Sequence, residues 1–98
     1  MEIEKREEII ALYEIYFKLL TDKQRTYFED YYFYDLSITE IALNYDISRN
    51  AVFDQLKRVD KALKEYEDKL KIKEKIDKIE NLNISDEIKN SILSIMKE

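Results

Sequence analysis

The sequence predicts an all-α protein built around a helix-turn-helix, and three observations predict it. Apolar residues recur at helical spacing from Glu4 to Met96, helix-capping hydroxyl residues precede most of the periodic stretches, and the 98 residues contain neither glycine nor proline. Without those two residues hairpin turns lose their usual chemistry, so Asn, Asp and Ser must make every reversal and helix-to-helix connections are short. No segment carries a competing strand pattern.

The first helix is expected over Glu4 to Leu20. Ile9, Ile10, Tyr13, Tyr16, Phe17 and Leu20 form one apolar stripe, and Leu12, Ile15 and Leu19 form a second on the other side. Two apolar faces require cover on two sides, either from the C-terminal helices or from another subunit. Thr21-Asp22-Lys23-Gln24 is a capping box that opens a second helix, in which Tyr27, Phe28, Tyr31 and Tyr32 share a face. Six of the twelve aromatic residues lie between Tyr27 and Tyr34. Their i, i+3, i+4 spacing reads as core rather than as a base-stacking platform, with Phe33 pointing away as a candidate contact for something else.

Ser37-Ile38-Thr39-Glu40 is a second capping box, opening a short helix with Ile38, Ile41 and Ala42 inward. Asn44-Tyr45-Asp46 supplies residues that tolerate left-handed backbone, and Ser48 caps the next helix, with Ile47 and Val52 as a hydrophobic staple. From Arg49 nothing breaks the helical pattern until Asn81-Leu82-Asn83. Val52, Leu56, Val59, Leu63, Tyr66 and Leu70 form a seam, which shifts to Ile72, Ile76 and Ile79 and implies a bend or a new packing partner. Ser85-Asp86-Glu87 starts a last short helix with Ile88, Ile92, Ile95 and Met96 on one side. This divides the chain into a helix-turn-helix domain at 1–70, with its motif at 37–58, and a C-terminal helical extension at 71–98.

Composition narrows the function classes. There is no cysteine and no histidine, which removes disulfides, thiolate metal sites, the commonest zinc ligand and the commonest general base. The pairs Glu7-Glu8 and Glu29-Asp30 read as solvated helix faces, so no catalytic residue, cofactor or metal site is expected, and the chain is expected not to be an enzyme. The charged start MEIEKREEII has no signal-peptide or membrane character, which gives a cytoplasmic expectation with no membrane partner. Net charge is −5 and unevenly spread: residues 1–47 carry −6, residues 48–64 carry +3 and residues 65–98 carry −2.

The basic stretch coincides with the second helix of the motif. Ser48, Arg49, Asn50, Phe53 and Lys57 sit where such a helix enters the major groove, and Arg and Asn suit bidentate contacts with guanine and adenine edges. Lys57, Arg58, Lys61 and Lys64 are placed for phosphates, whereas Asp54 on the same face repels them. Asp46 occupies a turn position where many such motifs have glycine.

The run LLTDKQRTYFEDYYFYDLSITEIALNYDISRNAVFDQLKRVDKALKEYEDKL resembles the YlxM family of bacterial helix-turn-helix proteins, which are similar to region 4 of sigma factors and whose genes lie beside those of the signal recognition particle. The likeness spans about Ile10 to Leu70 and is most distinctive in LLTDKQRTYFEDYY and ISRNAVFDQLKR. It implies a regulatory or accessory role in the signal recognition particle pathway, through the particle's RNA, its GTPase or DNA. The family has no established catalytic residues to transfer. Its motif positions place Ser48 as the cap, Arg49, Asn50, Phe53 and Lys57 as the contact surface, and Ile41, Ala42, Ile47, Val52 and Leu56 as the scaffold. A protein-interaction module, with the acidic N-terminal half meeting a basic partner, is the second reading. The second stripe and the heptad seam also predict a homodimer.

Overall fold

The computed structural model describes residues 3–98 and contains, among them, six α-helices, one turn of 3-10 helix and no strand. The helices are α1 (Ile3–Tyr16), α2 (Asp22–Tyr32), α3 (Ile38–Tyr45), α4 (Arg49–Leu70), α5 (Ile72–Glu80) and α6 (Asp86–Met96), with the 3-10 turn at Phe17–Leu19. The first helix is therefore shorter than its stripe suggests. Its last apolar residues are carried by the tighter turn, which ends with extended backbone at Leu20 and leads into the α2 cap.

Both capping boxes form. The Gln24 N–H donates to Thr21 Oγ1 at 3.1 Å while the Thr21 N–H donates to Gln24 Oε1 at 2.9 Å. Ser37 and Glu40 exchange the same pair of bonds at 3.1 and 3.3 Å. Ser48 and Ser85 each accept one N–H, from Ala51 and Ile88. Each such cap is worth about 1 kcal/mol, and together they fix where four helices begin.

Two clusters share the interior, joined by α4. In the first, α1 and α2 pack on α4 through Ile9, Leu12, Tyr13, Tyr16, Leu20, Phe28, Tyr32, Val59 and Leu63. It is rich in aromatics: Tyr13 stacks on Phe28 with centroids 4.2 Å apart, and Phe28 meets Tyr32 at 4.3 Å. The second cluster is smaller, with Tyr27, Ile41, Ala42, Val52 and Leu56 between α2, α3 and α4. Ala42 keeps α3 close to α4 because it projects only a methyl group.

The uninterrupted pattern after Arg49 does not give one helix. Lys71 takes left-handed backbone (φ 57°), ending α4 and starting α5 in another direction. The shift from the Leu70 seam to Ile72 marked this place, and the architecture has a fifth helix between the long fourth and the short last one. Helix α5 packs on α1 and carries α6. Leu12 is buried, and Ile15 and Ile72 are half-buried against the aromatic cluster, so most of the second stripe is covered within one chain; Leu19 stays 52% exposed. On α6 the buried residue is Leu93, with Ile92 and Met96 half-buried, while Ile88 and Ile95 face solvent. No described helix is long and apolar enough to cross a membrane.

Candidate nucleic-acid interface

The motif is α3, a short turn and the start of α4. The turn works because Asp46 takes left-handed backbone (φ 53°, ψ 48°), a conformation that Asp reaches at lower cost than most residues. The Ile47 N–H then donates to the Ala42 carbonyl at 3.1 Å, closing the helix end, and Ile47 packs into the cluster that holds Val52. Ser48 begins α4 in extended backbone. The sequence thus sets both the angle of α4 and the residue at which it starts.

Burial divides α4 by side. Val52, Leu56, Val59 and Leu63 are buried, so the opposite side faces solvent. At about 100° per residue, Asn50, Asp54, Lys57, Lys61 and Lys64 lie on that solvent side, with Phe53 and Arg49 toward its edge, and all are exposed. Arg58 is also exposed and, about 40° beyond Asp54, belongs to the same side. Ser48 is taken up in capping, its hydroxyl accepting the Ala51 N–H at 3.0 Å.

The ion pairs among the described residues are Arg25 with Asp22, Lys73 with Asp77 and Lys78 with Glu74, none of which uses a cation of α4. Lys57 instead stands over the Phe53 ring, with Nζ 5.3 Å from its centre. Phe53, Arg49, Asn50 and Ser48 also line a shallow depression of about 540 Å³ together with Ile38, the first residue of α3. The face therefore combines cations outside any ion pair, an amide, an exposed ring and a recess, with Asp54 near its middle.

The family model for UPF0122, described as a helix-turn-helix protein, YlxM / p13 like, matches residues 3–98. The chain belongs to the UPF0122 family. A UPF0122 protein of Streptococcus mutans is 54% identical over 70 residues, a stretch that covers 71% of this chain and 64% of the relative. UPF0122 protein YofM of Lactococcus lactis subsp. lactis is 53% identical over 70 residues, covering 71% and 63%. The chain thus matches somewhat less than two thirds of the length of these curated relatives.

Other charged residues of this UPF0122 chain serve its fold. Glu29 accepts the Tyr13 hydroxyl at 2.9 Å and Asp30 accepts the Tyr45 hydroxyl at 2.7 Å; the latter bond, with some burial, pushes Tyr45 up to about 12. Phe33 is 45% exposed yet meets Tyr13 and Phe28 edge-on, so it borders the aromatic cluster rather than standing apart. Two features escape a sequence reading. The contact between Lys57 and Phe53 has only its i, i+4 spacing as a signal. The role of Ile38 in the recess has none, because its apolar position in α3 marks it as core.

Proposed function

We propose that this protein is a non-enzymatic regulatory or accessory protein of the signal recognition particle pathway that binds nucleic acid, DNA or the particle's RNA, through α4. One observation carries the reading: a helix-turn-helix presents Arg49, Asn50, Lys57, Lys61 and Lys64 on one solvent face, with no intramolecular ion pair on any of them among the described residues. Cations not held in an internal ion pair are available to phosphates, and each phosphate neutralised releases counterions. Arg58, exposed on the same side, extends this positive surface. The likeness to YlxM proteins supports the pathway and a cytoplasmic location; a binding domain at 1–70 followed by an extension at 71–98 is part of the same proposal. The exposed Ile88 and Ile95 of α6 support a homodimer, which sedimentation equilibrium tests.

The deciding experiment is an anisotropy titration into labelled signal recognition particle RNA, competed with duplex DNA over a salt series. Binding should weaken linearly on a log–log salt plot, and Lys61→Ala should reduce the slope by about one. RNA binding that DNA does not displace assigns the protein to the particle, and displacement assigns it to transcription. Absence of binding to both overturns the proposal.

A second reading, a protein-interaction module that meets the particle's GTPase, is favoured by the exposed acidic residues Glu7, Glu8 and Glu14 on α1. Because Glu29 and Asp30 each hold a tyrosine, reversing them would disturb the fold. Glu7→Lys with Glu14→Lys is the cleaner test: on this reading it abolishes GTPase binding while Lys57→Glu leaves it intact.

A further inference from the structure

The start of α4 is not a plain phosphate-binding surface. Phe53 is 49% exposed, and Lys57 holds its ammonium 5.3 Å from the ring centre. The ring also forms one wall of the 540 Å³ depression, where Ile38 is the other apolar contributor and Ser48, Arg49 and Asn50 are the polar ones.

A duplex groove suits this arrangement poorly. A helix lying in the major groove has phosphates along both sides, and here Asp54 is exposed beside Phe53 on the outward face. An unpaired base swung out of a folded strand asks for something else: an aromatic plane for stacking, polar groups for its edge and a cation for the adjoining phosphate. Phe53, the Arg49–Asn50 pair and Lys57 meet those three needs within little more than two turns of helix. Folded strands that present single unpaired bases are characteristically RNA loops and bulges.

We propose that the depression beside Phe53 takes one unpaired base of a structured RNA, stacked on the Phe53 ring, with Arg49 and Asn50 at its edge and Lys57 on the neighbouring phosphate. The assignment rests on the nucleic-acid reading above and narrows it to one ligand class.

The test titrates the full chain into two short RNA hairpins of equal length, one fully paired and one with a single bulged adenosine, at one salt concentration. The bulged hairpin should bind about tenfold more tightly. Phe53→Ala should erase that preference and Phe53→Tyr should keep it; the exposed position leaves the fold intact, which circular dichroism checks. Equal binding of both hairpins, or a preference that survives Phe53→Ala, overturns the stacking site while nucleic-acid binding stands. Failure to bind either hairpin or duplex DNA overturns the nucleic-acid reading itself and the stacking site with it.

Discussion

The helix-turn-helix and the α5–α6 hairpin are each a pair of helices joined by a short turn but are held by different forces. In the motif, Ile41 and Val52 are fully buried, and α3 has two buried residues in eight. In the hairpin, Ile76 and Leu93 are the single buried residues of their helices, and a recess of about 500 Å³ remains between α1, α5 and the end of α6. A polar latch compensates. Glu67 accepts the Tyr16 hydroxyl at 2.6 Å and the N–H groups of Lys73 and Glu74 at 3.0 and 3.1 Å, while Tyr16 Oη accepts the Ile72 N–H at 3.2 Å. One carboxylate and one phenol thus satisfy the first free amides of α5, which the left-handed Lys71 leaves without a capping side chain. Burial fixes the motif, and three hydrogen bonds to one side chain fix the direction of the hairpin.

The largest effects should fall on the shared aromatic cluster. Phe28 is fully buried and touches Tyr13, Tyr32 and Phe33, so Phe28→Ala should lower the unfolding free energy by about 3–5 kcal/mol. A urea denaturation curve with an unchanged slope reports it. The latch comes next: Glu67→Gln keeps the shape but weakens three hydrogen bonds, and a charged bond is worth about 1.5–3 kcal/mol. Hydrogen exchange should rise across Ile72–Glu80 and stay unchanged in α3. Equal acceleration in both would show that the hairpin is not a separate unit.

Acid tests the same contrast. Burial pushes the Glu67 carboxyl up, but the Tyr16 hydroxyl and the two N–H donors outweigh it and hold it below its ordinary 4.5. A depressed carboxylate contributes stability that is present above 4.5 and lost as pH falls through the folded-state value. The hairpin amides should therefore lose protection in acid before those of α2 to α4. Tyr16, raised to about 12 by burial and then by Glu67, stays a donor throughout that range.

The motif was more legible in the sequence than the hairpin, for a physical reason. Caps, turn residues and apolar spacing act within four or five residues, so Thr21, Ser37, Asp46, Ser48 and Ser85 announce their elements directly. The solvent face of α4 follows from the same spacing, which is why Arg49, Asn50, Phe53 and Lys57 stand together as expected. Lys71 has no such signature, because the Ile72 amide that follows its left-handed backbone is satisfied by Tyr16, 56 positions before Ile72 in the chain. Glu67 reads as one more solvated carboxylate until α1 is placed beside it. On α6, four isoleucine and methionine positions share a side, yet only the direction of α5 decides that Leu93 is the one enclosed.

Asp60 is the counterpart of Glu67 on the same helix. It lies between α4 and α2, where Tyr32 donates to Oδ2 at 3.3 Å and Oδ1 is buried with no hydrogen-bond partner among the described residues. Burial raises its pKa despite Tyr32 and Lys64, so its stabilising contribution is present below the unfolded value and lost as pH rises through the folded one. At neutral pH the charge is a cost. Asp60→Asn, which keeps an acceptor for Tyr32 and adds a donor, should stabilise the protein by about 1 kcal/mol at neutral pH, with the gain vanishing in acid.

The smallest effect probes the turn. Asp46 holds a backbone conformation (φ 53°) that costs most residues about 1–2 kcal/mol, less for Asp, and nothing for glycine. Glycine also enlarges the conformational freedom of the unfolded chain, which offsets part of the gain. Asp46→Gly should therefore shift stability by only about 0.5 kcal/mol in either direction, whereas Asp46→Val, β-branched and without a polar side chain to bond locally, should lose more than 1 kcal/mol. The comparison of the two variants by thermal unfolding separates backbone strain from side-chain charge at the one residue that sets the angle between α3 and α4. If valine is tolerated as well as glycine, the angle is held by the packing of Ala42, Ile47 and Val52, and the turn merely follows it.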